Sequence, residues 1–212
     1  VSIKDRASLT EEGLDIINRL LRCESVTFTG KHYKLVDVKI SPTPVQKPSP
    51  PLWVGGFVPE AAKRAARFAS GYIGFGDMKE LADCFFEERA RLGKTDKSLL
   101  AGGHFWLIVT KTPKQTFEEI GPHVLYQMQM YNLWLKEAGQ QLFPDIKTLE
   151  DLKTLNLLQC LSPEEARDVV GTYIEKNRIT HYYSWTVPPG YPTKKMDEHL
   201  ALFAEEVITH FD

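Results

Sequence analysis

Two consecutive glycines, Gly55 and Gly56, stand between an apolar run, Leu52-Trp53-Val54, and a helix-forming stretch that opens at Pro59. Residues without side chains let backbone N–H groups come close to a ligand, and a helix starting just after them adds the positive end of its dipole. Gly55, Gly56, Phe57 and Val58 therefore form either a phosphate cradle or a plain tight turn, and a diglycine alone does not choose between them. A second glycine cluster, Gly74-Phe75-Gly76, follows the next apolar run and makes Gly74 and Phe75 further cofactor-facing candidates. Tyr182, Tyr183 and Trp185 crowd a third place. On a strand, Tyr183 and Trp185 share one face while Tyr182 and Ser184 share the other. The first pair either lines a pocket for a flat cofactor or apolar substrate, or packs a core. Met128, Met130, Tyr131 and Trp134 lie on one helical stretch, which either packs a core or lines a pocket or subunit interface. Arg64 and Arg67 are expected on a solvated face, paired locally with carboxylates such as Glu60.

Other chemistry is excluded by what the sequence lacks. There is no G-x-G-x-x-G turn, no G-x-x-x-x-G-K-[ST] loop, no G-x-S-x-G elbow and no H-E-x-x-H pair. The six histidines are scattered over different elements, and His104 and His181 are expected as hydrogen-bonded core or rim residues. Cys23, Cys84 and Cys160 are odd in number and far apart, so neither a disulfide framework nor a metal site is expected, and a reducing, cytoplasmic setting follows. With 26 basic and 28 acidic residues the net charge is −2, which carries no footprint for nucleic acid. No apolar run approaches the roughly 20 residues of a membrane helix, and VSIKDRASLT has no apolar signal core.

The elements that would position these groups can be read in order. Leu14, Ile17, Leu20 and Leu21 fall on one face of a helix over 8–22, with Ser8 and Glu11 as its capping box. Alternation from Val26 to Ile40 around Thr29-Gly30-Lys31 predicts a β-hairpin. Pro42 to Pro51 holds five prolines in ten residues, a stiff extended connector. Strands are predicted at 52–54, 72–75, 104–110 and 180–186, each followed by a helix: 59–69, 77–92, 113–138 and 194–210. Thr148 to Leu155 reads as a short helix, and Ser162-Pro163-Glu164-Glu165 opens another, running to about Lys176. On the last helix Leu200, Phe203, Val207 and Phe211 are expected on one side. This is an α/β chain with four βα units, read as one partial domain over 1–212. It divides into helix and hairpin at 1–41, connector at 42–51, and βα units at 52–212. Four units make a small open sheet or half of a (β/α)8 barrel.

The text EEGLDIINRLL (11–21), VTFTGKHYKL (26–35), SPTPVQKPSPPLWVGG (41–56), AAKRAARFASGYI (61–73), LSPEEARDVVGTYIEKNRITHYYSW (161–185) and ALFAEEVITHF (201–211) resembles the luciferase-like monooxygenases, the bacterial-luciferase-type flavin-dependent oxidoreductases. The stretch from Pro44 to Gly56 is its most specific part. The resemblance implies a (β/α)8 TIM barrel of which this chain is the C-terminal half. It implies FMN, or a deazaflavin coenzyme in other branches, at the carboxyl end of the strands. It also implies oxidation of a small organic substrate by reduced flavin and O2, or hydride transfer in the deazaflavin branch, with a flavin reductase as a possible partner. Its phosphate end would fall on Gly55, Gly56, Phe57 and Val58. Phe57 and Val58 replace the small hydroxyl residues some members have there, leaving backbone donors only. Catalytic residues are expected in the front half and are not assigned here. A non-catalytic half-barrel, or a truncated remnant, that pairs with itself or with a separate N-terminal chain is the alternative, and a homo-oligomer is expected.

Overall fold

A computed structural model of the chain describes residues 2–95, 97–141 and 143–211. They form two compact units, Val1–Ala101 and Gly102–Asp212.

The first unit opens with α1 (Ile3–Leu21), which starts earlier than its apolar periodicity suggests because Ser2 caps it, accepting from the Lys4 amide. Ser8 therefore lies inside the helix and forms no capping box; its hydroxyl bonds the Asp5 carbonyl and His32. β1 (Val26–Thr29) and β2 (Lys34–Val38) form the antiparallel hairpin, with an irregularity between Val26 and Phe28. Glu12 of α1 clamps its turn by accepting from the amides of Lys31, His32 and Tyr33 at 2.8, 2.9 and 3.2 Å. The proline-rich 42–51 segment carries neither helix nor strand, as expected of residues that cannot donate to a ladder. β3 (Trp53–Gly55), α2 (Pro59–Phe68), β4 (Gly71–Ile73) and α3 (Lys79–Arg91) follow as two βα units. β3 and β4 are parallel, pairing Trp53 with Gly71 and Gly55 with Ile73, and β4 is parallel to the first residues of β5 (Leu99–Val109). α2 buries Ala61, Ala62, Ala65 and Ala66. Four small side chains on one stripe let α3 approach closely with Ala82 and Phe85.

In the second unit the rest of β5 separates two cores by simple alternation. Trp106 and Ile108 pack with Phe117, Ile120, Val124 and Met128 of α4 (Pro113–Glu137) and with Leu152 of α5 (Leu149–Thr154). Leu107 and Val109 pack with Ala166 and Val170 of α6 (Pro163–Asn177) and with Leu202 and Val207 near the C-terminus. A strand not expected from the sequence pattern lies here. β6 (Leu158–Leu161) runs parallel to 106–109 of β5, and β7 (His181–Trp185) also pairs with β5. Reciprocal capping boxes open α5, Thr148 with Asp151, and α6, Ser162 with Glu165. The closing segment is not one uniform helix. A 3₁₀ turn (Thr193–Met196) leads into α7 (Asp197–Leu202), then a π-turn (Phe203–Val207) and another 3₁₀ turn. The buried side runs through Met196, His199 and Leu202, and the wide turn carries it on to Val207, five residues further, while Leu200 and Phe211 are exposed, contrary to the face expected from an unbroken 3.6-residue period.

Candidate functional site

In parallel α/β structures ligands gather at the carboxyl ends of the strands. In the first unit those ends bring two predicted loops side by side. Gly55 closes β3 so near its neighbour that an added Cβ would lie 3.2 Å from Ile73 Cγ2. Gly56 takes φ +156°, and a Cβ there would meet the Ala61 Cβ at 2.4 Å. Only glycine lets the backbone pass this close to the first turn of α2. The Tyr72 hydroxyl, on a side chain buried under the loop, donates to the Gly56 carbonyl at 2.5 Å. Burial pushes that phenol up to about 12, so it remains a donor throughout the neutral range.

The helix start that follows is left open. Val58 is the N-cap of α2 and has no side chain that can cap; Pro59 follows at the first turn. Ala61 and Ala62 donate to the Val58 carbonyl, whereas among the described residues nothing accepts from the amides of Phe57, Val58 and Glu60. Three backbone donors at the positive end of a helix beside a glycine hinge are the parts of an anion cradle. The side chains of Phe57 and Val58 are more than half exposed. Glu60, the one acidic group in this turn, is neutralised by Lys63 at 2.9 Å. Gly74 and Phe75 follow β4, and Gly74 is fixed by donating to the Ala101 carbonyl at 3.0 Å. Arg64 and Arg67 do not pair with Glu60. Both reach Glu11 of α1, at 3.2 and 3.1 Å, and so hold α2 to α1.

In the second unit, Trp185 packs edge-on against Phe105 and Trp106 and stacks with Tyr131 of α4 at 5.7 Å between ring centroids. Tyr131 and Trp134 keep exposed ring surface, while Met128 is core. Trp185 also packs against the core that Trp106 and Ile108 build with α4. Tyr183 is half-buried, with its carbonyl against Gly103. Tyr182, on the opposite face, bonds His104 at 2.8 Å and lies against Tyr173 and Phe203. His104 is half-buried and hydrogen-bonded, as a core or rim residue is expected to be, and its partial burial lowers its pKa. His181 is exposed and contacts Thr180. All three cysteines are free thiols, and burial pushes Cys160 up to about 12, out of the range of a nucleophile. No cluster able to hold a metal ion exists among the described residues, and none of the described helices is long and apolar enough to cross a membrane.

One feature escaped the sequence reading. At the carboxyl end of β5 a cleft of about 360 Å³ opens between the start of α4 and the 193–199 turn. Its signal was present as three hydroxyls in Thr110-x-Thr112-x-x-x-Thr116, but its other wall lies some 80 residues further on, at His199.

The known proteins agree with this architecture. The luciferase-like monooxygenase family matches residues 1–173. Monooxygenase RslO1 from Streptomyces bottropensis superposes with a TM-score of 0.79 at 15% identity, over 100% of this chain and 64% of that one. The coenzyme F420 dependent tetrahydromethanopterin reductase from Methanopyrus kandleri gives 0.68 at 18%, over 97% and 64%. The oxygenating constituent of 3,6-diketocamphane monooxygenase from Pseudomonas putida, in complex with FMN, gives 0.66 at 15%, over 95% and 63%. The chain thus spans less than two thirds of the length of these structures, and its parallel βα units are those of a partial barrel. By sequence and by fold, it belongs to the luciferase-like monooxygenase family.

Proposed function

We propose that this chain is the cofactor phosphate-binding part of a flavin-dependent oxidoreductase that oxidises a small organic substrate with reduced FMN and O2. The observation that carries the reading is the open helix start at Phe57, Val58 and Glu60 beside Gly56, where a Cβ would collide with Ala61 and only glycine lets the loop pass this close to the first turn of α2. Because the chain covers 64% of RslO1, the activity is proposed for a protein that also contains the remaining βα units.

The amides of Phe57, Val58 and Glu60 hold the phosphate end, and the Tyr72 hydroxyl fixes the loop through the Gly56 carbonyl. Gly74 and Phe75 border the same end. In the second unit, Tyr183 and Trp185 are the candidates for an apolar surface toward the substrate. The flavin, when bound, supplies the redox chemistry; this part of the protein binds and orients it.

A second reading is supported by the F420 dependent reductase and an F420-dependent secondary alcohol dehydrogenase among the similar structures: the same cradle would hold F420 in a hydride-transfer enzyme. The test is made on the chain joined to a complete front half. FMN binding with flavin-reductase-coupled, substrate-dependent O2 uptake supports the oxygenase. F420 binding with bleaching on substrate addition supports the second reading. A folded protein that binds neither overturns both.

A further inference from the structure

The cleft at the carboxyl end of β5 is not used by the proposal above. Its floor is His199, 4% exposed. The Val109 amide donates to Nδ1 at 2.8 Å, which in the neutral ring places the proton on Nε2. Among the described residues Nε2 makes no hydrogen bond, and His199 lines the cleft. Burial keeps the ring neutral, pulling its pKa down to about 4.

On the opposite wall the hydroxyls of Thr110 and Thr116 lie 2.9 Å apart, those of Thr112 and Thr116 3.5 Å apart, and Thr110 Oγ1 already accepts from the Thr112 amide. Three hydroxyl protons share two contacts, so at least one is left to donate outward. α4 opens here without a side-chain cap and with no acidic residue in its first turn. Nothing among the described residues accepts from the Lys114 and Gln115 amides. Lys194, exposed at the rim, makes no ion pair among the described residues. Glu119 is balanced by Lys195 at 2.8 Å and Gln115 at 3.0 Å, which leaves Glu198 as the one unbalanced carboxylate lining the cleft.

We propose that this cleft is an anion site for a phosphate group, with Thr116, the His199 Nε2–H, Lys194 and the first turn of α4 as donors. Its volume of about 360 Å³ exceeds what phosphate alone fills and is in the range of small-molecule pockets. The Glu119 and Glu198 carboxylates are acceptors for hydroxyl groups on the body of a phosphate monoester. Inorganic phosphate and such an ester share the chemistry that the donors recognise.

The test uses the 212-residue chain without flavin. Inorganic phosphate, glycerol 3-phosphate and glycerol are titrated separately by calorimetry and followed by ³¹P line broadening. Both phosphates are expected to bind and glycerol is not. Tighter binding of the ester identifies it as the ligand, and equal binding identifies free phosphate. Each lost hydrogen bond to a charged group should weaken binding about tenfold. Thr116→Val removes one hydroxyl, and His199→Asn keeps an acceptor for the Val109 amide while losing the Nε2 donor. Lys194→Ala sits on the surface and cannot fail by unfolding. Glu198→Gln should tighten binding. No binding of either phosphate, or binding indifferent to Lys194→Ala and Thr116→Val together, overturns the proposal.

Discussion

Replacing Gly56 with alanine should separate a built cradle from an ordinary turn. The new Cβ starts 2.4 Å from the Ala61 Cβ, whereas carbon atoms rest about 3.5–4.0 Å apart. Either the loop or the first turn of α2 must move by about 1 Å or more. Relieving such overlap in a packed region costs about 1–3 kcal/mol, and holding an L-residue at φ +156° adds about 1–3 kcal/mol. The sum is about 2–6 kcal/mol. Gly76 is the control. It also has positive φ, +65°, but a Cβ there meets nothing within 4 Å, so Gly76→Ala carries only the backbone penalty of about 1–2 kcal/mol. Urea midpoints followed by circular dichroism rank the two variants. In the same samples, displacement of the Phe57, Val58 and Glu60 amides by about 1 Å takes them outside hydrogen-bonding geometry, so affinity for a phosphate-bearing cofactor falls with stability. If Gly56→Ala is no worse than Gly76→Ala in stability, the close passage against α2 is not real and the cradle argument fails.

Three further outcomes follow from the same structure. Ser162→Ala removes the hydroxyl half of the α6 capping box and should lower stability by about 1 kcal/mol; an unchanged urea midpoint contradicts the assigned helix start. His199 has its pKa pulled down from 6.5 to about 4 by burial. A depressed folded value contributes stability that is complete above pH 6.5 and is lost as pH falls toward 4, about 3 kcal/mol in all. Urea midpoints of the wild type should therefore drop between pH 7 and 4 more steeply than those of His199→Asn, and parallel slopes would refute the burial. Gly103→Ala would place a Cβ 1.6 Å from the Tyr183 carbonyl oxygen. It should disrupt the β5–β7 pairing outright, visible as lost amide protection along β7, and retained protection would show that this approach is wrong.

What the sequence made legible was local. The box at Ser162, Pro59 and Pro163 in first turns, and the period-2 alternation of the hairpin all involve neighbours within four residues. What it concealed depended on distant partners or on a break in regularity. β6 lies in Leu157-Leu158-Gln159-Cys160-Leu161, an apolar stretch between two helices that becomes a strand only because β5 is there to pair with it. Glu11, more than 50 residues away, won Arg64 and Arg67 from the nearby Glu60. The π-turn at Phe203–Val207 sets five residues between buried Leu202 and buried Val207, a step that a 3.6-residue period does not foresee. The cradle was visible as a glycine pair, but its distinguishing features, the contact with Ala61 and the Tyr72 hydrogen bond, come from α2 and β4. The second cleft needed Thr116 and His199 to be brought together by folding.

The most direct measurement compares FMN with riboflavin, which lacks only the phosphate, on a protein that joins this chain to a complete front half. If the amides after Gly56 hold the phosphate, FMN binds at least tenfold more tightly than riboflavin, since more than one charge-assisted hydrogen bond is at stake, and Gly56→Ala removes that difference while leaving riboflavin binding in place. Equal affinity for the two flavins, or an FMN preference that survives Gly56→Ala, contradicts the central claim that this loop is a phosphate cradle.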